Sequence, residues 1–316
     1  MHKLIFFGSS DLSVAILDEL EDMQMPPVAI VTQPDRPRGR SARLQSTPVK
    51  DWAHARAIKV LDTQAEKPEQ FYHDLSAIAA DVFLTAAYGE YLSEKILNLP
   101  KKGSLNIHPS LLPKYRGASP VQTAIIEGET VSGVTLMLMD KKLDSGPILA
   151  QREVSMPEDI NFGEMMDVMA VESRYLLRIA LPQYLAGNLK AQAQDENEAT
   201  YSRTFTREDG RVDFAESAQK IHNQIRGLTP WPGAFAYIDN RRVKLHKSVL
   251  TNEKPECGDL PPGSIFCRDE RFFVVCGQGV LELMEIQFAS KKQISCASCA
   301  HNYRKGFRFS SFPRKN

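Results

Sequence analysis

No run of eighteen consecutive apolar residues occurs in this 316-residue chain, so no segment is long enough to cross a bilayer as a helix. Cysteine is scarce: there are five, Cys257, Cys267, Cys276, Cys296 and Cys299, and none lies before residue 257. An odd count with no secretion signal ahead of it argues for reduced thiols rather than a disulfide framework. The single C-x-x-C, Cys296 and Cys299, has no second pair to complete a zinc site. Ala300 stands where haem attachment would need a histidine, and a redox pair would want a strand before it and a helix after. Motifs that would name a chemistry are missing too. Gly8-Ser9-Ser10-Asp11-Leu12 keeps only the first glycine of a dinucleotide-binding G-x-G-x-x-G, which leaves the turn after the first strand structural or one wall of a cleft. No P-loop, H-E-x-x-H or G-x-S-x-G is present, so kinase, zinc-peptidase and nucleophile-elbow chemistry have no support. Net charge is absent as well, at 39 basic and 39 acidic side chains.

What is there is an ordinary soluble composition, 42% hydrophobic and 25% charged, with enough chain for two domains. The first eight residues read as a buried strand, too short for a signal peptide, and the expected compartment is the cytoplasm. Charge divides along the chain. From Arg207 to Asn316 there are 18 Lys and Arg against 12 Asp and Glu, a balance of +6, leaving 21 against 27, or −6, for the first 206 residues. A basic half of this kind suits a polyanionic partner.

The first half alternates strand-like and helix-like segments, the pattern of a mostly parallel α/β sheet. Lys3–Phe7, Val28–Thr32, Val82–Thr85, Ser104–Ile107 and Gly133–Met139 are expected as strands, and 12–20, Pro120–Glu127 and Asn161–Tyr184 as helices. Past a polar stretch at 191–200 the pattern changes to short strands at 234–238, 242–247, 264–267, 272–276 and 280–286, with one helix at 215–226. The expected architecture is a Rossmann-like catalytic domain at 1–188, a linker at 189–206, and a small OB-like β-barrel domain at 207–316.

One stretch carries chemistry: Ser104-Leu105-Asn106-Ile107-His108-Pro109-Ser110-Leu111-Leu112-Pro113. Asn106 and His108 project on the same side of a strand that Pro109 ends, at the carboxyl edge where open α/β sheets take ligands. Taken singly, each has a bland reading: a satisfied structural histidine, a turn-forming asparagine. Asp144, before Ser145-Gly146, has one as well in an Asx-type turn. Yet its loop leaves what is read as the carboxyl end of another sheet strand. Amide, imidazole and carboxylate together, with no nucleophilic Ser or Cys and no metal ligands, suit acyl transfer between two bound substrates. The enzyme then stabilises an oxyanion and moves protons.

These residues, with Tyr115-Arg116-Gly117 and Leu143-Asp144-Ser145-Gly146, resemble the folate-dependent formyltransferases. Thr32 to Arg40, running on to Ser46-Thr47-Pro48-Val49-Lys50, is similar to the insertion loop of the methionyl-tRNA formyltransferases, and Asn223 to Phe235 resembles the start of their C-terminal domain. The resemblance covers roughly residues 3 to 292 and weakens at Cys296, Cys299 and the Arg304–Lys315 tail. It implies 10-formyltetrahydrofolate as co-substrate, methionyl initiator tRNA as partner, no metal and a monomer. By the same resemblance Asn106, His108 and Asp144 are catalytic, while Ser110, Leu111, Leu112, Pro113, Tyr88, Gly89, Met139 and Asp140 border the folate. Arg36, Arg38, Arg40, Arg43 and Lys50, a segment without an acidic residue, would grip tRNA phosphates. The rival readings are an amino-sugar formyltransferase, a formyltetrahydrofolate hydrolase and a non-catalytic RNA-binding module.

Overall fold

The computed structural model describes residues 2–38, 43–62, 68–256, 258–303 and 307–313. The chain divides into two compact units, one of residues 1–120, 131–155 and 166–202, the other of 121–130, 156–165 and 203–316.

In the first unit seven strands form one sheet, in spatial order Ile148–Ser155, Val131–Leu138, Ser104–His108, Val82–Ala86, Leu4–Gly8, Ala29–Thr32 and Lys59–Asp62. The last five are mutually parallel, and Val131–Leu138 is antiparallel to both of its neighbours. The sheet is therefore mostly parallel, as expected. Leu4–Gly8, Val82–Ala86 and Ser104–His108 are buried at every position, the mark of strands covered on both faces. Helix Asp11–Asp22 packs Leu12, Ile16, Leu17 and Leu20 inward. A Cβ on Gly8 would fall 2.6 Å from Phe6 and from Ser13 of that helix, so the lone glycine is a packing residue. Strand order reverses between Leu4–Gly8 and Val82–Ala86, where doubly wound sheets open a crevice.

The segment expected as a linker is hydrogen-bonded into this unit up to residue 202. Gln192 and Ile148 exchange backbone hydrogen bonds of 2.7 and 2.8 Å, and Tyr201–Ser202 pairs in parallel with Arg116–Gly117.

In the second unit the strands are Ala234–Ile238, Arg241–Thr251, Val280–Phe288, Arg271–Val275 and Ile265–Arg268 in spatial order, with Ile294–Ser295 beside Val280–Phe288. All are antiparallel. Helix Ala218–Gly227 starts where the Ser217 hydroxyl accepts the Lys220 N–H at 3.2 Å, and it sets Ile221 and Ile225 into the core. The antiparallel domain is as expected, and its closure into a barrel is not detected among the described residues. Among the described residues no ladder joins Ala234–Ile238 to Ile265–Arg268; instead single bridges run from Ser310 to Tyr237 and from Arg308 to Ser264. The tail thus satisfies backbone groups at both edges that a closed barrel would pair with each other. Phe309, between the two bridges, is buried and stacked on Phe214 at 5.2 Å.

Candidate active site

Asn106 and His108 are the third and last residues of Ser104–His108, both buried. Asp144 meets them. Asn106 Nδ2 donates to Asp144 Oδ1 at 3.4 Å, Asp144 Oδ2 lies 3.7 Å from His108 Nδ1, and the Gly117 N–H donates to the same Oδ2 at 2.9 Å. The route to this meeting differs from the one expected. The Asp144 loop follows Val131–Leu138, which runs antiparallel, so Leu138 stands opposite Leu105 and the chain leaves the sheet beside the amino end of Ser104–His108. It must double back, and Gly146 lets it: a Cβ there would collide with the Leu138 carbonyl oxygen. Asp144 itself takes the left-handed conformation, φ 49°.

His108 Nε2 lies 3.0 Å from the Tyr115 carbonyl oxygen. A carbonyl only accepts, so Nε2 carries a proton directed at Tyr115, and Nδ1 is the nitrogen that faces Asp144. Tyr115 is held in turn: its N–H donates to Thr200 Oγ1 at 2.9 Å and its φ is 60°. The carboxylate therefore has a backbone N–H, an amide N–H and an imidazole edge around it, an arrangement able to accept a proton from an amine while a second Asn106 N–H stays free to meet a developing oxyanion. The Gly117 N–H and the Tyr115 carbonyl were not among the expected site groups, although both belong to the motif that carried the resemblance. Nothing in the sequence pointed to Gln194, whose Nε2 donates to the carbonyls of Asp144 and Gly146 at 2.9 and 2.7 Å.

The residues expected around folate fall into three groups. Met139 and Asp140 line a cavity of about 340 Å³ together with Leu97, Asn98, Lys142 and Ser145, a size suited to a small-molecule ring system. Tyr88 is buried edge-on to Phe7 at 5.6 Å, and its carbonyl accepts from Gln33 Nε2 at 2.9 Å; Gly89 beside it has φ 80°. The third group is tied into the framework. Ser110 Oγ donates to the Lys114 carbonyl at 2.7 Å, the Leu112 N–H donates to Thr135 Oγ1 at 3.2 Å, and the Leu112 carbonyl accepts from Gln151 Nε2 at 2.8 Å. Leu111 packs over Gly133. Pro113, after a cis bond from Leu112, is half-buried and its carbonyl accepts from the Thr200 N–H at 3.3 Å.

Of the basic segment, Arg36–Arg38 pairs antiparallel with Arg43–Gln45. Arg36 and Arg43 are exposed, and the Arg36 guanidinium stands 3.9 Å from Glu90. Arg40 lies outside the described residues. Lys50 is in the first turn of helix Pro48–Ala55, where its N–H caps onto Thr47 Oγ1 at 3.1 Å and its Nζ is 3.0 Å from Asp35 Oδ1. Its charge is thus already countered by the carboxylate just ahead of the segment.

Cys296 and Cys299 are buried, and burial pushes both thiols up, which disfavours a nucleophilic thiolate. Among the described residues no group of three or more His, Cys, Asp or Glu is placed to hold a metal ion, and no helix is long and apolar enough to cross a membrane.

A sequence model of the family described as Formyl transferase matches residues 2–179, and one described as Formyl transferase, C-terminal domain, matches residues 204–304. The class is that of the formyl transferases. Relatives of matching length narrow it: Methionyl-tRNA formyltransferase of Caldanaerobacter subterraneus is 36% identical over 96% of this chain and 98% of its own, and that of Enterococcus faecalis 39% over 93% and 94%. The chain belongs to the formyl transferase family and, within it, to the methionyl-tRNA formyltransferases. Two solved structures share the fold. An N-formyltransferase from Helicobacter canadensis, in complex with folinic acid and dTDP-3-aminofucose, gives a TM-score of 0.67 at 22% identity over 92% of this chain and 100% of that one. HypX from Aquifex aeolicus, in complex with tetrahydrofolic acid, gives 0.65 at 17% over 96% of this chain and 48% of that one.

Proposed function

We propose that this chain transfers the formyl group of 10-formyltetrahydrofolate to the α-amine of methionine on initiator tRNA. The observation that carries the proposal is the convergence of Asn106, His108 and Asp144 in a member of this family. The folate supplies an activated formyl carbon, which the methionine amine attacks. Asn106 donates its free amide N–H to the formyl oxygen as negative charge gathers there. Asp144 accepts the proton that the amine must shed. His108, with Nε2–H fixed on the Tyr115 carbonyl, holds or releases a proton at Nδ1 next to Asp144. Overall one C–N bond forms, the bond from the formyl carbon to the folate nitrogen breaks, and the amine proton ends on that nitrogen. Met139 and Asp140, in their cavity, and Tyr88, Gly89, Ser110, Leu111, Leu112 and Pro113 are the residues this reading sets beside the folate. Arg36, Arg38, Arg40 and Arg43, with Lys50 in a lesser part, face the tRNA phosphates.

One chain supplies all three catalytic side chains, so the reading needs no second copy, and the proposal extends to a monomer acting in the cytoplasm. The test is formylation of methionyl initiator tRNA with 10-formyltetrahydrofolate, with an amino-sugar nucleotide as parallel acceptor and formate release followed without acceptor. Wild type is expected to formylate the tRNA alone. Asn106→Ala and Asp144→Asn are each expected to lower kcat on the order of 10²–10³-fold. Preferential use of the sugar, or formate as the main product, would overturn the assignment.

A further inference from the structure

The stretch around Gln194 has the composition of a connector, yet the Gln194 side chain is hydrogen-bonded at both ends. Gln194 Oε1 accepts from Arg116 Nε at 3.1 Å and from Arg116 Nη2 at 2.9 Å, while its Nε2 donates to the carbonyls of Asp144 and Gly146 at 2.9 and 2.7 Å. The amide thus uses two acceptor and two donor positions, its whole capacity. Arg116 is equally committed. Its side chain is 1% exposed, and besides Gln194 it donates Nη1 to Glu196 Oε2 at 3.1 Å and to Tyr201 Oη at 3.5 Å, and Nη2 to Glu196 Oε1 at 2.9 Å. Those bonds occupy all five guanidinium N–H groups. At the far end, the two carbonyls held by Gln194 are those of Asp144, with φ 49°, and of Gly146, where the loop doubles back. A non-glycine residue stays in that conformation only where its surroundings hold it.

We propose that Gln194 is a positioning residue for the transfer reaction. Anchored by Arg116, it clamps the main chain at 144 and 146 and so keeps the Asp144 carboxylate facing Asn106, His108 and the Gly117 N–H. The proposal rests on the reading of Asp144 as a catalytic group. On the loop Gln194 touches only the carbonyls of Asp144 and Gly146 and no catalytic side chain, so it acts through the aim of that carboxylate and not on substrate. Arg116 is the reason an amide is needed: a guanidinium fills both acceptor positions, which orients the NH₂ group toward the loop.

Gln194→Glu separates the two ends of the clamp. The carboxylate still accepts from Arg116 but has no N–H for the two carbonyls, which then face an anionic oxygen. In full-length protein we expect kcat to fall on the order of 10²-fold, with KM for 10-formyltetrahydrofolate and for methionyl initiator tRNA little changed and the thermal midpoint close to wild type. In the Asp144→Asn background the same substitution should cost nothing further, because the group it positions is gone. Wild-type kcat in Q194E while D144N is impaired overturns the clamp and leaves the catalytic assignment standing. Wild-type kcat in D144N overturns the assignment itself. Losses that multiply in the double variant, with a lowered thermal midpoint, mark Gln194 as merely structural and overturn the proposal. Should Q194E not fold, Glu196→Gln, on an exposed side chain, probes the anchor. A several-fold lower kcat absent in the D144N background supports the clamp, and an unchanged kcat overturns it.

Discussion

Asp144 is set apart less by its nearness to a histidine than by the assignment of both its oxygens, one to the Asn106 amide and one to the Gly117 N–H with His108 at its edge. Gly117 earns its place through backbone geometry. It has φ 113°, and a Cβ there would run into the Ser202 carbonyl oxygen. Gly117→Ala should destabilise the protein by about 1–3 kcal/mol and, by shifting the N–H that holds Asp144, lower kcat by about tenfold or more. Urea denaturation and steady-state formylation check the two effects, and an alanine variant with wild-type stability and kcat would remove Gly117 from the site. Asn106, His108 and Asp144 were legible in the sequence because each sits in a short motif whose residue types have few other uses together. Gln194 was not. Its partners are two backbone carbonyls fifty and forty-eight residues away and the Arg116 side chain seventy-eight away, and such contacts impose no local pattern.

The elements show where periodicity is informative and where it fails. Pro120–Glu127 and Ala234–Ile238 have the expected bounds, since turn or cap residues bracket a clear pattern. Lys59–Asp62, Ile148–Ser155, Pro48–Ala55 and Pro68–Ile78 were not anticipated. The edge strand Ile148–Ser155 buries only Leu149 and Val154, five residues apart and so out of step with a two-residue period, which leaves little signal to read. Direction was invisible as well: nothing in Val131–Leu138 announces that it runs against Ser104–His108. In the second unit, helix Ala218–Gly227 buries His222, whose Nδ1 is 3.0 Å from Ser248 Oγ and whose Nε2 is 3.7 Å from Asp159. Burial, aided by the Arg226 charge, holds the His222 pKa below its ordinary value of 6.5, against smaller opposing effects of Glu158 and Asp159. As pH falls the unfolded chain takes up the proton first. The stabilisation is therefore complete above about pH 6.5 and is lost as pH drops through that value toward the lower folded pKa. Thermal unfolding of the full chain between about pH 7.5 and 5.5 should show this slope, and His222→Gln should flatten it; an equal slope in both would exclude His222 as its source.

Over the whole molecule, charge separates into an acidic first part and a basic C-terminal part, and the basic strands Arg36–Arg38 and Arg43–Gln45 belong to the acidic one. Arg40→Ala is expected to weaken methionyl-tRNA binding and to reduce the magnitude of its log–log salt slope by about 1, with folate binding unchanged. Lys50→Ala should change both less, because its ammonium is already paired with Asp35 at 3.0 Å. Filter binding at several salt concentrations reads both variants, and equal slopes for wild type and Arg40→Ala would detach this basic segment from the nucleic acid.

Much was written in the order of residues alone: two domains of different class, the mostly parallel sheet, the three polar residues of the centre and the family they signal. These are local facts, set by period, turn chemistry and motif. The reversal of Val131–Leu138, the looping back of Asp144, the tail that bridges both edges of the open C-terminal sheet and the anchoring of Gln194 by Arg116 arise from hydrogen bonds between residues far apart in the chain. They exist only once packing has brought those groups together and removed the water that would otherwise satisfy them.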